Sequence, residues 1–477
     1  MFPCVRGQLS SGRSVVVLSL RQKRTVMKDS RLRHYPVLCD PLATFASLRR
    51  AGLLDGYSYL HLSPEHTEIG WAPVERLALL SGTPCHDWRD QLAEFALRAE
   101  LLGRKAFGYI GFDVVTKDGG TLPDRSETDR PLVEFVIPGE TLTFTSRDVT
   151  HRGLGGIDVS RFLAPTIKLA PPNPSATPLD PVSASCEHAY IDAVRRGISA
   201  VSAGEAKKLV LSRYQAYDAD FDPVALFSAL QPPFVDAFLV CFGDLVAVLP
   251  SPELLLSGSN RQIATNPLAG TRPRGGTPAE DARLRAELAE NHKEIVEHVV
   301  SVNTVLSELE PICARDSLVV SRFMDVAQFQ RVQHLSSTIR ASLAAGYNVL
   351  DALWALFPAV TVTGLPKSDA IKIIERLEDG PRYLYGGVMG WLRGAGNCRF
   401  SLALRGLYRC GNRSFLQAGA GILAESVPEA ELLETTYKLS AMKDALASAV
   451  LPTRTPEGGN MKPYSLGITK SSKRDIK

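Results

Sequence analysis

The sequence predicts an α/β protein, organised either as one large unit or as two or three ordinary domains. Three observations carry this. The chain has 477 residues, 45% hydrophobic and 22% charged, which allows a substantial core. Strand-like and helix-like periodicities are interspersed along it. Proline- and glycine-rich punctuation separates them.

Residues 1–28 carry Arg6, Arg13, Arg21, Lys23, Arg24 and Lys28 with no acid. The apolar run Val15 to Leu20 is too short for a secretory signal, although an acid-free basic start resembles an organellar transit peptide. We expect a disordered extension here, and a second mobile tail over the polar, aperiodic stretch 453–477. Residues 29–165 form the N-terminal part of the fold. Within them Asp87 to Leu102 has the spacing of an amphipathic helix, and Ala106 to Asp113 and Leu132 to Pro138 read as strands. Pro165, Pro171, Pro172, Pro174, Pro178 and Pro181 mark a connection, taken as 166–184.

The remaining body, 185–450, begins with a helix Ala189 to Ala203 ending at Gly204, then a strand Lys208 to Arg213. Apolar strands follow near Phe238 to Cys241 and Leu245 to Leu249. Thr277-Pro-Ala-Glu280 is a capping-box start, predicting one long helix to about Leu309. Strands at Phe400 to Leu407 and Phe415 to Gln417 and a helix Glu429 to Ala449 complete the order.

Composition excludes several classes. A net charge of +3 with dispersed Lys and Arg argues against nucleic acid or a polybasic membrane surface as partner. No apolar run is long enough for a transmembrane helix. The eight cysteines include no C-x-x-C pair, so neither a zinc site nor a disulfide framework is expected, and reduced thiols in a cytoplasmic monomer are.

The chemistry-bearing feature is a pair of couplets, Glu294-Ile-Val-Glu297 and Glu431-Leu-Leu-Glu434. Residues three apart share a helix face, so each couplet can aim two carboxylates at one point, as a hard divalent cation such as Mg2+ requires. Lys208 lies on an apolar strand, where alternation sends Lys207 to the opposite face. Pro267-Leu-Ala-Gly-Thr-Arg272 and Gln417-Ala-Gly-Ala-Gly-Ile422 put small residues where a backbone approaches something closely. His334 alone reads as a core histidine, whereas Arg405, read as a buried strand residue, needs a carboxylate partner.

Together with Ser251-Pro-Glu-Leu, Asn291-His-Lys-Glu, Val332-Gln-His-Leu, Phe357 to Lys367 and Lys438-Leu-Ser, these segments resemble the chorismate-utilising enzymes, and among them most the salicylate synthases of siderophore pathways. The resemblance covers about residues 185–450 and is loose before 160, around Ala106 to Asp113. It implies a single α/β fold of two packed antiparallel sheets with helices outside. It also implies Lys208 as the base that activates water for attack at C2 of chorismate, and Glu253 as the acid that protonates the departing C4 hydroxyl. Glu294, Glu297, Glu431 and Glu434 would hold Mg2+, which anchors the ring carboxylate. Tyr385 and Arg405 would bind the enolpyruvyl carboxylate, and Lys438 with the Gly419 to Gly421 amides the ring carboxylate. Thr271, His334 and Thr361 complete the substrate-binding set. A neutral Lys208 and a protonated Glu253 are needed near neutral pH, so their pKa values should shift in opposite directions.

Lysine at 208, where amine-adding relatives of the anthranilate type usually have glutamine, and alanine at 269, where aminodeoxychorismate synthases have a nucleophilic lysine, favour water as nucleophile. Asn266 departs from the acidic residue common in close relatives. The readings in play are salicylate synthase, isochorismate synthase without pyruvate elimination, an anthranilate-type aminating enzyme, and a non-catalytic chorismate-binding protein.

Overall fold

The computed structural model describes residues 17–18, 31–36, 39–54, 56–80, 85–116, 131–154, 156–163, 180–230, 232–411 and 413–451. The tail 453–477, most of the 1–28 extension and most of the proline-rich connection lie outside them. Val17–Leu18, within the extension expected to be disordered, pairs with Leu77 and Arg76.

Two long strands, Thr67–Leu79 and Val133–Phe144, pair along their whole length and form the spine. Different neighbours attach at their ends, so the sheet divides into two limbs. One runs through Tyr57–Leu62, Asp236–Phe242, Leu245–Ser251, Leu407–Cys410 and Arg413–Ile422 to Lys208–Tyr217. The other leaves the Val133 end through Ala106–Ile110, Val388–Arg393, Asn397–Leu402, Leu254–Ser259 and Gln262–Thr265 to Val332–Ser342, which also pairs with Leu268–Pro273 and Val319–Gln328. All these pairings are antiparallel.

The limbs fold face to face over an apolar seam that includes Phe238, Val240, Leu249 and Met389. Across it the Tyr59 and Phe107 rings stack with centroids 3.7 Å apart. Such a pair adds roughly 0.5–1.5 kcal/mol beyond area burial. Helices cover the outer faces. Cys85–Leu101, His292–Leu309 and Val349–Leu356 pack on the second limb, and Pro41–Arg50, Pro223–Ser228 and Pro428–Ala449 on the first. Glu187–Ser202 and Lys367–Leu377 cover the Lys208 strand. The expected α/β fold of packed antiparallel layers with helices outside is found, the two layers being limbs of one continuous sheet.

Several boundaries differ from expectation for physical reasons. The single helix expected from Thr277 to Leu309 is two helices, Pro278–Glu290 and His292–Leu309. Asn291 breaks it by adopting extended backbone and accepting the Glu294 amide on its side chain at 3.2 Å, which caps the second helix. The strand expected from Phe400 to Leu407 stops at Leu402, and Arg405 stands in the following loop with φ +59°. The strand at Leu132 continues through Pro138 to Phe144, because a bulge in its partner near Pro73 absorbs the missing donor.

Candidate active site

The site lies where the free ends of the two limbs meet, between the strands Lys208–Tyr217, Arg413–Ile422 and Leu268–Pro273 and the helices His292–Leu309 and Pro428–Ala449. A pocket there is walled by Glu253, Ala269, Gly270, Thr271, Glu297, His334, Tyr385, Arg405, Gln417, Gly419 and Lys438. Lys208, Thr361, Glu294 and Glu434 stand one contact behind the wall, and Glu431 lies further back, on Lys293. Lys208 reaches Glu297, Thr361 reaches Glu253, and Glu294 reaches the Thr271 amide. Glu434 accepts from Thr271 Oγ1 at 3.1 Å, and Glu431 accepts from Lys293 at 2.7 Å.

Strand alternation holds at Lys208, which is completely buried while Lys207 is exposed. Its Nζ donates to Ser301 Oγ at 3.0 Å and pairs with Glu297 Oε1 at 3.1 Å. That ion pair opposes the free amine expected there.

Glu253 sits on the turn after Leu245–Ser251, 4% exposed, and burial pushes its carboxyl up to about 7. The Thr361 hydroxyl, donating to Oε1 at 2.7 Å, opposes part of that rise. The shift has the direction a general acid requires.

Two backbone features shape the carboxylate region. Gly270, at φ +74°, carries a bulge that turns the Thr271 amide onto Glu294 Oε2 at 2.9 Å. At Gly421 a Cβ would lie 2.2 Å from Glu297 Oε1, and at Gly419 one would lie 2.5 Å from the Tyr385 hydroxyl, so both positions need glycine for close approach.

The four glutamates do not converge as expected: among the described residues, no three His, Cys, Asp or Glu side chains form a metal-holding group. Cations separate them. Arg272 holds Glu294 at 2.9 Å, Lys293 joins Glu431 at 2.7 Å, Lys208 pairs with Glu297 at 3.1 Å and Lys438 pairs with Glu434 at 2.5 Å. Burial and the neighbouring Glu434 push Glu431 up to about 7, and burial with Glu297 raises Glu294. Burial alone would raise Glu297 and Glu434, but the lysines beside them outweigh it and hold both carboxyls below the usual range. Four carboxylates drawn from two helices are the donor type a hard divalent cation takes, but here each is held by a lysine or arginine rather than gathered on one point.

Burial, with Arg405 beside it, holds the His334 imidazole well below its ordinary pKa. A neutral ring then donates from Nδ1 to the Gly270 carbonyl at 2.9 Å and accepts from Arg405 at Nε2, 2.6 Å away. The carboxylate expected for Arg405 is therefore replaced by an imidazole, and burial lowers Arg405 to about 10. Asn266 lies off the pocket wall, its amide donating to Ser336, Ser337 and Thr338.

Sequence reasoning missed Lys293 and Gln417. Lys293 lies inside the quoted Asn291-His-Lys-Glu run, whose tight packing of charges was the available signal. Gln417 opens the glycine run and lines the pocket, its side chain donating to Ser212 at 2.9 Å.

Comparison with known proteins places this geometry. An anthranilate synthase component 1 of Halobacterium salinarum is 32% identical over 386 residues, covering 76% of this chain and 72% of that one. A salicylate synthase of Mycolicibacterium paratuberculosis is 39% identical over 256 residues, covering 53% of this chain and 57% of that one. Several further relatives are likewise matched over only about half of their length, for example 52% of an anthranilate synthase component 1 of Streptomyces coelicolor. In fold, the chain resembles MenF, the menaquinone-specific isochorismate synthase from Escherichia coli, with TM-score 0.68 and 20% identity over 88% of this chain and 95% of that one. It also resembles anthranilate synthase component I from Streptococcus pneumoniae, with TM-score 0.66 and 24% identity over 80% of this chain and 93% of that one. Since the family described as chorismate binding enzyme matches residues 56–444, which hold the whole pocket, the chain belongs to that family.

Proposed function

We propose that the protein is a Mg2+-dependent salicylate synthase, converting chorismate through isochorismate to salicylate and pyruvate. The observation that carries this reading is a buried lysine, Lys208, and a separate buried glutamate poised to hold a proton, Glu253, at one pocket that Arg405 and Lys438 also line. Burial pushes the Glu253 carboxyl up to about 7, and Lys208 stands behind Glu297.

In this reading Lys208 takes a proton from water as its oxygen bonds to C2, and Glu253 gives one to the C4 hydroxyl as it leaves, with both ring double bonds shifting, C1=C2 to C1=C6 and C5=C6 to C4=C5. Lys208, ion-paired with Glu297, must first lose its proton to act as this base. Glu294, Glu297, Glu431 and Glu434 would hold Mg2+, whose charge, when bound, offsets theirs and anchors the ring carboxylate of a dianionic substrate. Arg405, fixed by His334, and Tyr385 hold the enolpyruvyl carboxylate. Folding that side chain over the ring brings its methylene to the C2 hydrogen. The hydrogen transfers as the C3–O bond breaks, releasing pyruvate and an aromatic ring. Orientation suffices for this step, with no further acid or base.

Amination at C2 is the second reading, favoured by the anthranilate synthase relatives. Ammonia needs no lysine base, and Lys208 speaks against it. Turnover in 18O-labelled water with Mg2+ tests the choice: label in the phenolic oxygen of salicylate supports water addition. An unlabelled or nitrogen-bearing product overturns it.

A further inference from the structure

A second compartment adjoins the catalytic pocket and shares Pro252, Arg405 and Lys438 with it. We propose that it is a binding site for small aromatic monocarboxylates, the class to which the product belongs; that choice of ligand rests on the function proposed above.

Its body is apolar. Leu230, Pro233 and Phe234 line one side, the buried Met442 and half-buried Ala441 of the helix Pro428–Ala449 another, and Phe329 a third. Aromatic and thioether walls suit a flat ring.

The charges select the head group. Three cations border the compartment: Arg331, Arg405 and Lys438. Arg331 is paired with Asp444 at 2.6 Å and Lys438 with Glu434 at 2.5 Å, so each is already neutralised. Arg405 touches the neutral His334 ring at 2.6 Å, and no ion pair to a carboxylate is seen for it among the described residues. A guanidinium in a shared wall with no carboxylate at ion-pair distance among the described residues, Glu434 and Glu253 acting on it only from further off, favours one anionic group beside it. A monocarboxylate meets that demand, whereas a dianion would leave one charge facing apolar walls.

The test titrates benzoate into the full-length chain with Mg2+ by calorimetry and measures chorismate KM in parallel. Ala441→Phe fills the compartment without reaching the catalytic wall. It should weaken benzoate by about tenfold or more, with chorismate KM changing less than about threefold. Arg331→Gln, at the exposed rim and safe for folding, unmasks Asp444 and should weaken benzoate by about threefold. Absence of millimolar benzoate binding, or equal binding by wild type and both variants, overturns the proposal. Benzoate binding requires no turnover. A chain that binds benzoate here with the expected variant losses, yet makes no salicylate, supports the site and removes the product reading.

Discussion

The hydroxyl of Thr361 donates to Glu253 Oε1 at 2.7 Å, joining two residues 108 positions apart in the chain. The bond favours the ionised carboxylate and so works against burial, which holds Glu253 at about 7. A general acid must be protonated. Below pH 7 Glu253 carries its proton and does not limit the rate, whereas above pH 7 its loss should lower kcat/KM about tenfold per unit. Thr361→Val removes a donor to the charged form, so the alkaline limb should move to higher pH. A limb that stays in place, or moves down, would separate Thr361 from the acid.

Lys208→Gln should abolish water addition, a loss of about 10² to 10⁴ in rate, because the only ammonium on Glu297 within ion-pair distance among the described residues supplies the proposed base. Lys207→Gln, on the exposed face, should retain near-wild-type turnover. Steady-state rates of the two variants, with circular dichroism to check folding, decide this.

Gly421→Ala should cripple the enzyme without unfolding it. The new methyl would sit 2.2 Å from Glu297 Oε1, and displacing that carboxylate costs about 1–3 kcal/mol in a packed site. Calorimetric Mg2+ titration should show weakened binding. Affinity equal to wild type would detach Glu297 from the metal.

Lys293→Met should make stability depend on the cation. Lys293 bridges Glu431 at 2.7 Å and Glu294 at 3.7 Å, and removing it leaves buried carboxylates facing one another. Thermal unfolding in chelator should occur at lower temperature than in wild type, with Mg2+ restoring more of the loss than it adds to wild type. A variant whose Tm ignores Mg2+ would contradict the shared site.

Much of this was legible in the sequence because the chemistry lies in short runs with fixed local geometry. The couplets on the helices, Lys208 opposite Lys207, and Glu253 after a strand all follow from local periodicity and motif. What stayed hidden depends on partners distant in the chain. Lys293 meets Glu431 across 138 positions, and His334 meets Arg405 across 71, so no window contains both members. Of the cations that part the four glutamates, Lys208 and Arg272 were hidden for the same reason, whereas Lys438 lies one turn from Glu434 on the same helix. The spine strands were only partly legible because buried charges spoil alternation: Glu68 and Glu134 face inward, held by Lys105 and Arg76. Asn291 was read within a helix although its side chain is a strong cap, since capping competes with helix continuation residue by residue.

The most direct test of the central claim is chromatographic product analysis of a long incubation of the protein with chorismate, Mg2+ and ammonium. The account predicts salicylate and pyruvate in equal amounts, isochorismate appearing only transiently, and no product when a chelator replaces Mg2+. Stable isochorismate without salicylate would contradict the pyruvate-elimination step, and anthranilate would contradict the role given to Lys208.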